Sequence, residues 1–266
     1  MNKMNFLESW TDYEAFTVIK VMQNDIEIDR MNSNKKNLMH IAADQNLPMT
    51  LELLMEKAKI ENLLEKLTLS MDNFGYTPVH YCALKFSQEC FNVFLNFDID
   101  ISGVTTGKET VITIMGAQVE KDHDFFENAF TQILKIFMKY KVWNKRLATY
   151  RGNGVKLNTP LHYVAAFGDL SHVEELVELG ALPEKNSDGK TPLHIASELG
   201  KKDILQYLLR ALTKGKLSPD LNMADNNGNT CLHLAVKHCR KKQGDVTLVE
   251  YLIEEGMTLI SKMIVF

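Results

Sequence analysis

The chain has 266 residues, 45% of them hydrophobic and 24% charged, with a formal net charge of -4. That balance fits a folded chain, argues against wholesale disorder, and leaves overall charge naming no partner. The four cysteines, Cys82, Cys90, Cys231 and Cys239, form two pairs with one eight-residue step and no Cys-x-x-Cys, which points to buried thiols rather than a metal knuckle or disulfide framework.

In chain order, the first residues, MNKMNFLESWTDYEAF, carry acids where a secretory signal has its apolar core. No window approaches the roughly 18 apolar residues of a spanning helix, so neither a cleavable signal nor a transmembrane segment is predicted. Residues 1–34 read as an amino-terminal helical cap, with the second helix of an incomplete unit at Tyr13–Met22. Asn37-Leu38-Met39-His40-Ile41-Ala42-Ala43 then begins a series of related copies. The others are Thr77-Pro78-Val79-His80-Tyr81-Cys82-Ala83, Thr159-Pro160-Leu161-His162, Thr191-Pro192-Leu193-His194 and Thr230-Cys231-Leu232-His233-Leu234-Ala235. Pro suits a first helical position, where its missing N–H forfeits no bond, and the preceding Thr can cap. Asn153-Gly154, Asp188-Gly189 and Asn227-Gly228 are tight-turn signals.

Residues 109–118 read ETVITIMGAQ, with five consecutive β-branched residues that alone would suggest a strand. In register with the copies, Thr110-Val111-Ile112-Thr113-Ile114-Met115-Gly116 matches at the Thr and the apolar positions. It is therefore expected to be a first helix that has lost its Pro and its His, and with them the pre-set φ and the hairpin tie. Apolar residues across 123–143 follow the period of a long amphipathic helix.

The clearest copy is NSDGKTPLHIASELGKKDILQYLLRAL, residues 186–212, and with it the chain resembles an ankyrin-repeat protein. The resemblance implies an all-α solenoid of about six units, one degenerate, with an amino-terminal helical cap and short β-hairpin loops. The units lie near 35–71, 72–104, 105–153, 154–185, 186–224 and 225–266, making 35–266 one repeat domain whose stability sums over units and their neighbours. Four departures from the pattern are expected: a long second helix at Leu51–Leu69, an insert at 141–156, a loop at Thr213–Leu221, and an insert at 238–247. In that family the signature His bonds to backbone and to the Thr hydroxyl, so His40, His80, His162, His194 and His233 are structural. His123 and His172 read as surface residues.

By the same resemblance, partners meet the hairpin tips and the inner helices of the concave side. The candidate partner-binding residues are Asn73, Phe74 and Tyr76, then Ser187, Asp188 and Lys190, then Asn226, Asn227 and Asn229. Phe74 and Tyr76 lead, because aromatic side chains dominate interface hot spots. The alternative is electrostatic: from Asn128 to Gly168 the chain has no acidic residue but carries Lys135, Lys139, Lys141, Lys145, Arg146, Arg151 and Lys156. Such a segment could draw an anionic lipid or another polyanion, with nucleic acid the weakest version.

No HExxH, GxxxxGK[ST] or GxSxG occurs, and His238-Cys239 would diverge on a helix end. Arg151-Gly152-Asn153-Gly154 resembles part of the phosphate-handling loop of Fic-type transferases, but the His-Pro-Phe that should precede it is absent. No enzyme activity, cofactor or metal site is predicted. The degenerate unit, the large inserts and the Asn/Lys/Met-rich wording resemble ankyrin-repeat effectors of intracellular bacteria. That likeness implies a eukaryotic host protein as partner, and either a cytoplasmic place or secretion into the host cell without a cleavable signal peptide.

Overall fold

The computed structural model describes residues 27–119, 121, 123–149, 151, 157–214, 222–241 and 246–257. The expected helix at Tyr13–Met22 and most of the amino-terminal cap lie outside these residues, as does Lys156. The chain divides into two compact lobes, one ending at Val142 and one beginning at Trp143. Among the described residues every regular element is a helix.

The amino-terminal lobe contains α1 (Leu38–Asp44), α2 (Pro48–Ile60), α3 (Leu64–Thr68), α4 (Pro78–Lys85), α5 (Gln88–Asn96), α6 (Val111–Val119) and α7 (His123–Tyr140). Helices α1, α4 and α6 form an inner row, each packed on the next, and α2, α5 and α7 form an outer row behind them. Small side chains let the inner row close up: Ala42, Ala43, Cys82 and Ala83 have no exposed surface. Phe91, Phe94, Phe130 and Phe137 fill the outer layer at zero exposure, and the Phe91 and Phe137 rings meet edge to face at 5.4 Å. Burying each such ring stabilises the lobe by about 1.5–3 kcal/mol.

The carboxy-terminal lobe repeats the plan with α8 (Lys145–Thr149), α9 (Pro160–Phe167), α10 (Leu170–Glu178), α11 (Pro192–Glu198), α12 (Lys202–Lys214), α13 (Cys231–Lys241) and α14 (Thr247–Glu254). Here α9, α11 and α13 make the inner row, while α8 packs against both α9 and α10.

The ETVITIMGAQ stretch is helical, as its register required: α6 buries Val111, Ile112, Thr113, Ile114 and Met115. The long helix after it is α7, which stops at Tyr140 because Lys141 turns left-handed (φ 51). Other expectations need correcting. The helix expected over Leu51–Leu69 is broken, since Asn62 takes φ 56 and the chain restarts at Leu64. Residues 238–241, expected in an insert, continue α13. The hairpin loops carry no strand among the described residues; each is a tight turn closed by two backbone bonds. Phe86 ends α4 left-handed, as Asn46 does after α1 and Gly200 after α11, and its ring stacks on Phe126 at 4.7 Å.

Candidate partner-binding surface

Five tips share one backbone plan. Asn32, Asp72, Thr105, Asn186 and Asp225 each give their N–H to the carbonyl four residues on. Each also accepts, on its own carbonyl, the N–H of the residue three on. The anchoring side chain then folds over the turn. Asp72 Oδ1 accepts the Phe74 and Tyr76 amides at 2.9 and 3.0 Å. Asn186 Oδ1 does the same for Asp188 and Lys190, and Asp225 Oδ1 for Asn227 and Asn229. These are Asx-type turns, in which a short polar side chain replaces a missing backbone partner.

Neighbouring tips are tied edge to edge. The Asn73 amide N–H reaches the Asn34 carbonyl at 2.9 Å, and its side-chain Nδ2 reaches the Ser33 carbonyl at 3.1 Å. Asn226 repeats both bonds to Asp188 and Ser187. Thr106 Oγ1 donates to the Phe74 carbonyl at 3.3 Å. The close fit explains two glycines: a Cβ at Gly75 would lie 1.9 Å from Thr106 Oγ1, and one at Gly189 would lie 2.8 Å from the Asn226 nitrogen.

The nine candidates therefore separate by role. Asn73 and Asn226 bond tip to tip. Tyr76 is half-buried, with its hydroxyl 3.4 Å from Glu109 Oε2 and its ring against Tyr81. Lys190 pairs with Glu198, and Asn229 bonds the Asp225 carboxylate. Ser187, Asp188 and Asn227 are exposed. Phe74 is 61% exposed, a large apolar ring at the summit of its tip. Sequence reasoning missed the anchors Asp72, Asn186 and Asp225, whose signal is an Asp or Asn three residues before the turn glycine.

Beneath the tips, four of the signature histidines join two repeats. The Thr77 amide and hydroxyl lie 3.1 and 2.7 Å from His80 Nδ1, while Nε2 faces the Gly103 carbonyl at 3.2 Å. His40 faces the Tyr76 carbonyl, His162 that of Lys190, and His194 that of Met223. Burial pushes the imidazoles of His40, His80 and His162 down to about 4, and lowers that of His194, so each is a neutral structural group. His172, expected on the surface, is 1% exposed. It is the third residue of α10, in a reciprocal cap with Asp169, which occupies the Thr position without a following Pro.

The basic segment divides between the lobes: Lys135, Lys139 and Lys141 belong to the first, and Lys145, Arg146 and Arg151 to the second. Lys135, Lys139, Lys141, Lys145 and Arg146 are exposed. Arg151 is engaged internally, bonding the Leu157 and Lys185 carbonyls and pairing with Glu184 at 3.4 Å. Among the described residues no three metal-ligating side chains converge. Cys82, Cys90 and Cys231 are buried thiols and Cys239 is half-buried, none of them in a disulfide. Burial raises the Cys231 thiol to about 11, against the nucleophile's need for a thiolate. No described helix is long and apolar enough to cross a membrane.

The comparisons with known proteins agree with this geometry. The family model described as "Ankyrin repeats (3 copies)" matches residues 127–216 and 161–262, together just over half of the chain. The chain is 35% identical to human NF-kappa-B inhibitor alpha over 99 residues, 37% of this chain and 30% of that protein. It is 36% identical over 107 residues to the probable 26S proteasome regulatory subunit p28 of Saccharomyces cerevisiae, 38% of this chain and 42% of that one. The matched part thus spans under half the length of these relatives. Among solved structures, the human ASB11 ankyrin repeat domain aligns with a TM-score of 0.52 at 16% identity, covering 89% of this chain and 90% of that one. A chain from the complex of the Bdellovibrio bacteriovorus endopeptidase Bd0816 with immunity protein Bd3460 aligns with a TM-score of 0.53 at 17% identity, covering 85% and 100%. With its repeated caps, its histidine bridges and its anchored tips, the chain belongs to the ankyrin-repeat family.

Proposed function

We propose that this chain is a binding scaffold without catalytic activity, which holds a protein partner on its hairpin tips and inner helices. We further propose that it is an effector of an intracellular bacterium and that the partner is a host protein. Ankyrin repeats are in general protein–protein interaction modules, and the chain's anchored tips suit that role. The observation that carries the reading is Phe74: a ring 61% exposed on a tip bonded to both neighbours. A large apolar side chain on a preorganised backbone loses little freedom on binding. The effector reading is supported by the degenerate third repeat and by the inserts.

Affinity capture from eukaryotic cell lysate tests it, with Phe74→Ala beside the unaltered chain. Phe74 is the better single probe because Tyr76 also packs internally. Loss of a captured protein on Phe74→Ala supports the reading, and full retention refutes this placement of the interface. Loss only on reversing Lys139, Lys145 and Arg146 would move the site to the basic segment.

A further inference from the structure

In the left-handed position of the tips stand Lys35 (φ 58), Gly75, Lys108 (φ 58), Gly189 and Gly228. Glycine adopts this backbone freely, whereas a residue with a Cβ is strained in it. The first and third tips thus keep a lysine where the other three relax to glycine. In the third, the available glycine (Gly107) stands one position early and the strained place still falls to Lys108. Strain retained at a solvent-exposed turn points to what the side chain does there.

Both lysines are exposed, and neither ammonium has an ion-pair partner among the described residues. Phe74 lies on the tip between theirs. The bonds from Asn73 to Asn34 and Ser33, and from Thr106 to Phe74, lock the three tips in register. No acidic residue occupies the exposed positions of the row, Ser33–Lys35, Asn73–Phe74 and Thr106–Lys108. The tips of the other lobe differ, with glycine in both left-handed places and Asp188 at a summit.

We infer that the row Lys35, Phe74 and Lys108 docks an acidic protein segment that carries a large apolar side chain between its carboxylates, an inference that rests on the protein-scaffold reading above. The two ammonium groups take the carboxylates, and Phe74 covers the apolar side chain. A phosphate polymer or a lipid surface fits less well. Nucleic-acid affinity comes from many neutralised phosphates, and lipid-binding patches gather about four to eight basic residues. A central ring flanked by two cations instead matches the pattern of an apolar anchor with a charged rim.

The test is selection of a random dodecapeptide phage library on the full chain, followed by fluorescence anisotropy with the most enriched peptide, synthesised and labelled. Enriched sequences are expected to place Asp or Glu on both sides of a Leu, Ile, Phe or Trp. Lys35→Glu with Lys108→Glu should weaken the peptide about tenfold, and raising the salt should weaken it too. Lys35→Gly with Lys108→Gly should also weaken it while raising the unfolding midpoint, which separates lost contact from lost folding. Enriched peptides that depend on Phe74 but show no acidic bias would overturn the inference and leave the scaffold reading standing. Peptides indifferent to Phe74→Ala, or no enrichment at all, would count against both. Equal lysine-dependent binding of phosphatidylserine vesicles would assign the row to lipid and overturn the inference.

Discussion

Thr113 stands where five other repeats carry a histidine, and its hydroxyl oxygen accepts the Thr110 amide at 2.8 Å. The Thr113 amide in turn faces Thr110 Oγ1 at 3.4 Å. The third repeat therefore keeps a reciprocal cap although it lacks the signature Pro and His. A threonine oxygen serves only its own turn, however. It has no counterpart of the Nε2 atom that carries His80 to the Gly103 carbonyl.

Hydrogen exchange should accordingly be faster at 105–120 than at 186–200, where Pro192 and His194 are both present. Equal protection in the two segments would mean that burial of Ile112, Ile114 and Met115 replaces the missing proline and the missing bridge.

The tip contacts predict unequal costs for one substitution. Gly75→Ala meets Thr106 at 1.9 Å and keeps φ +80, whereas Gly228→Ala keeps φ +78 and meets nothing. The second should cost about 1 kcal/mol of left-handed strain, and the first about 2–3 kcal/mol through added displacement of the third tip. Urea unfolding of both variants measures the difference; equal losses would mean that the tips do not bear on each other.

Lys35→Gly and Lys108→Gly should each stabilise the chain by about 0.5–1 kcal/mol, since glycine removes the left-handed penalty at some cost in unfolded-state entropy. A lowered urea midpoint would show that these lysines sit without strain.

The caps and the register were legible in the sequence because Thr, Pro and His act within four residues of one another. The strained lysines were hidden, since Asn32-Ser33-Asn34-Lys35 contains no glycine to mark its turn. His172 was misplaced because Asp169-Leu170-Ser171-His172 uses an acid in place of Thr-Pro, although the reciprocal cap is the same. The break at Asn62 was masked by Leu63, Leu64 and Leu67, which carry the apolar pattern straight through a left-handed residue. The different exposure of Phe74 and Tyr76 could not be read locally, because Tyr76 is covered by contacts with Glu109 and Tyr81 from elsewhere in the chain while the Phe74 ring stays exposed.

Acid should destabilise the fold before the carboxylates titrate. His40, His80 and His162 have folded values near 4 against 6.5 when exposed, so the unfolded chain binds protons first as pH falls. Their contribution is complete above about pH 6.5 and declines towards pH 4. At pH 5 the loss is on the order of 1–2 kcal/mol for each histidine. Urea midpoints at pH 7.5 and pH 5 should differ accordingly; an unchanged midpoint would show that these imidazoles protonate without loss of their bridges.

The most direct measurement is hydrogen exchange of the full chain, alone and with its captured protein partner. A scaffold that binds through the first three tips predicts slowed exchange at 33–36, 73–76 and 106–109 in the complex. Slowing confined to the outer helices α2, α5 and α7, with the tips unchanged, would contradict it.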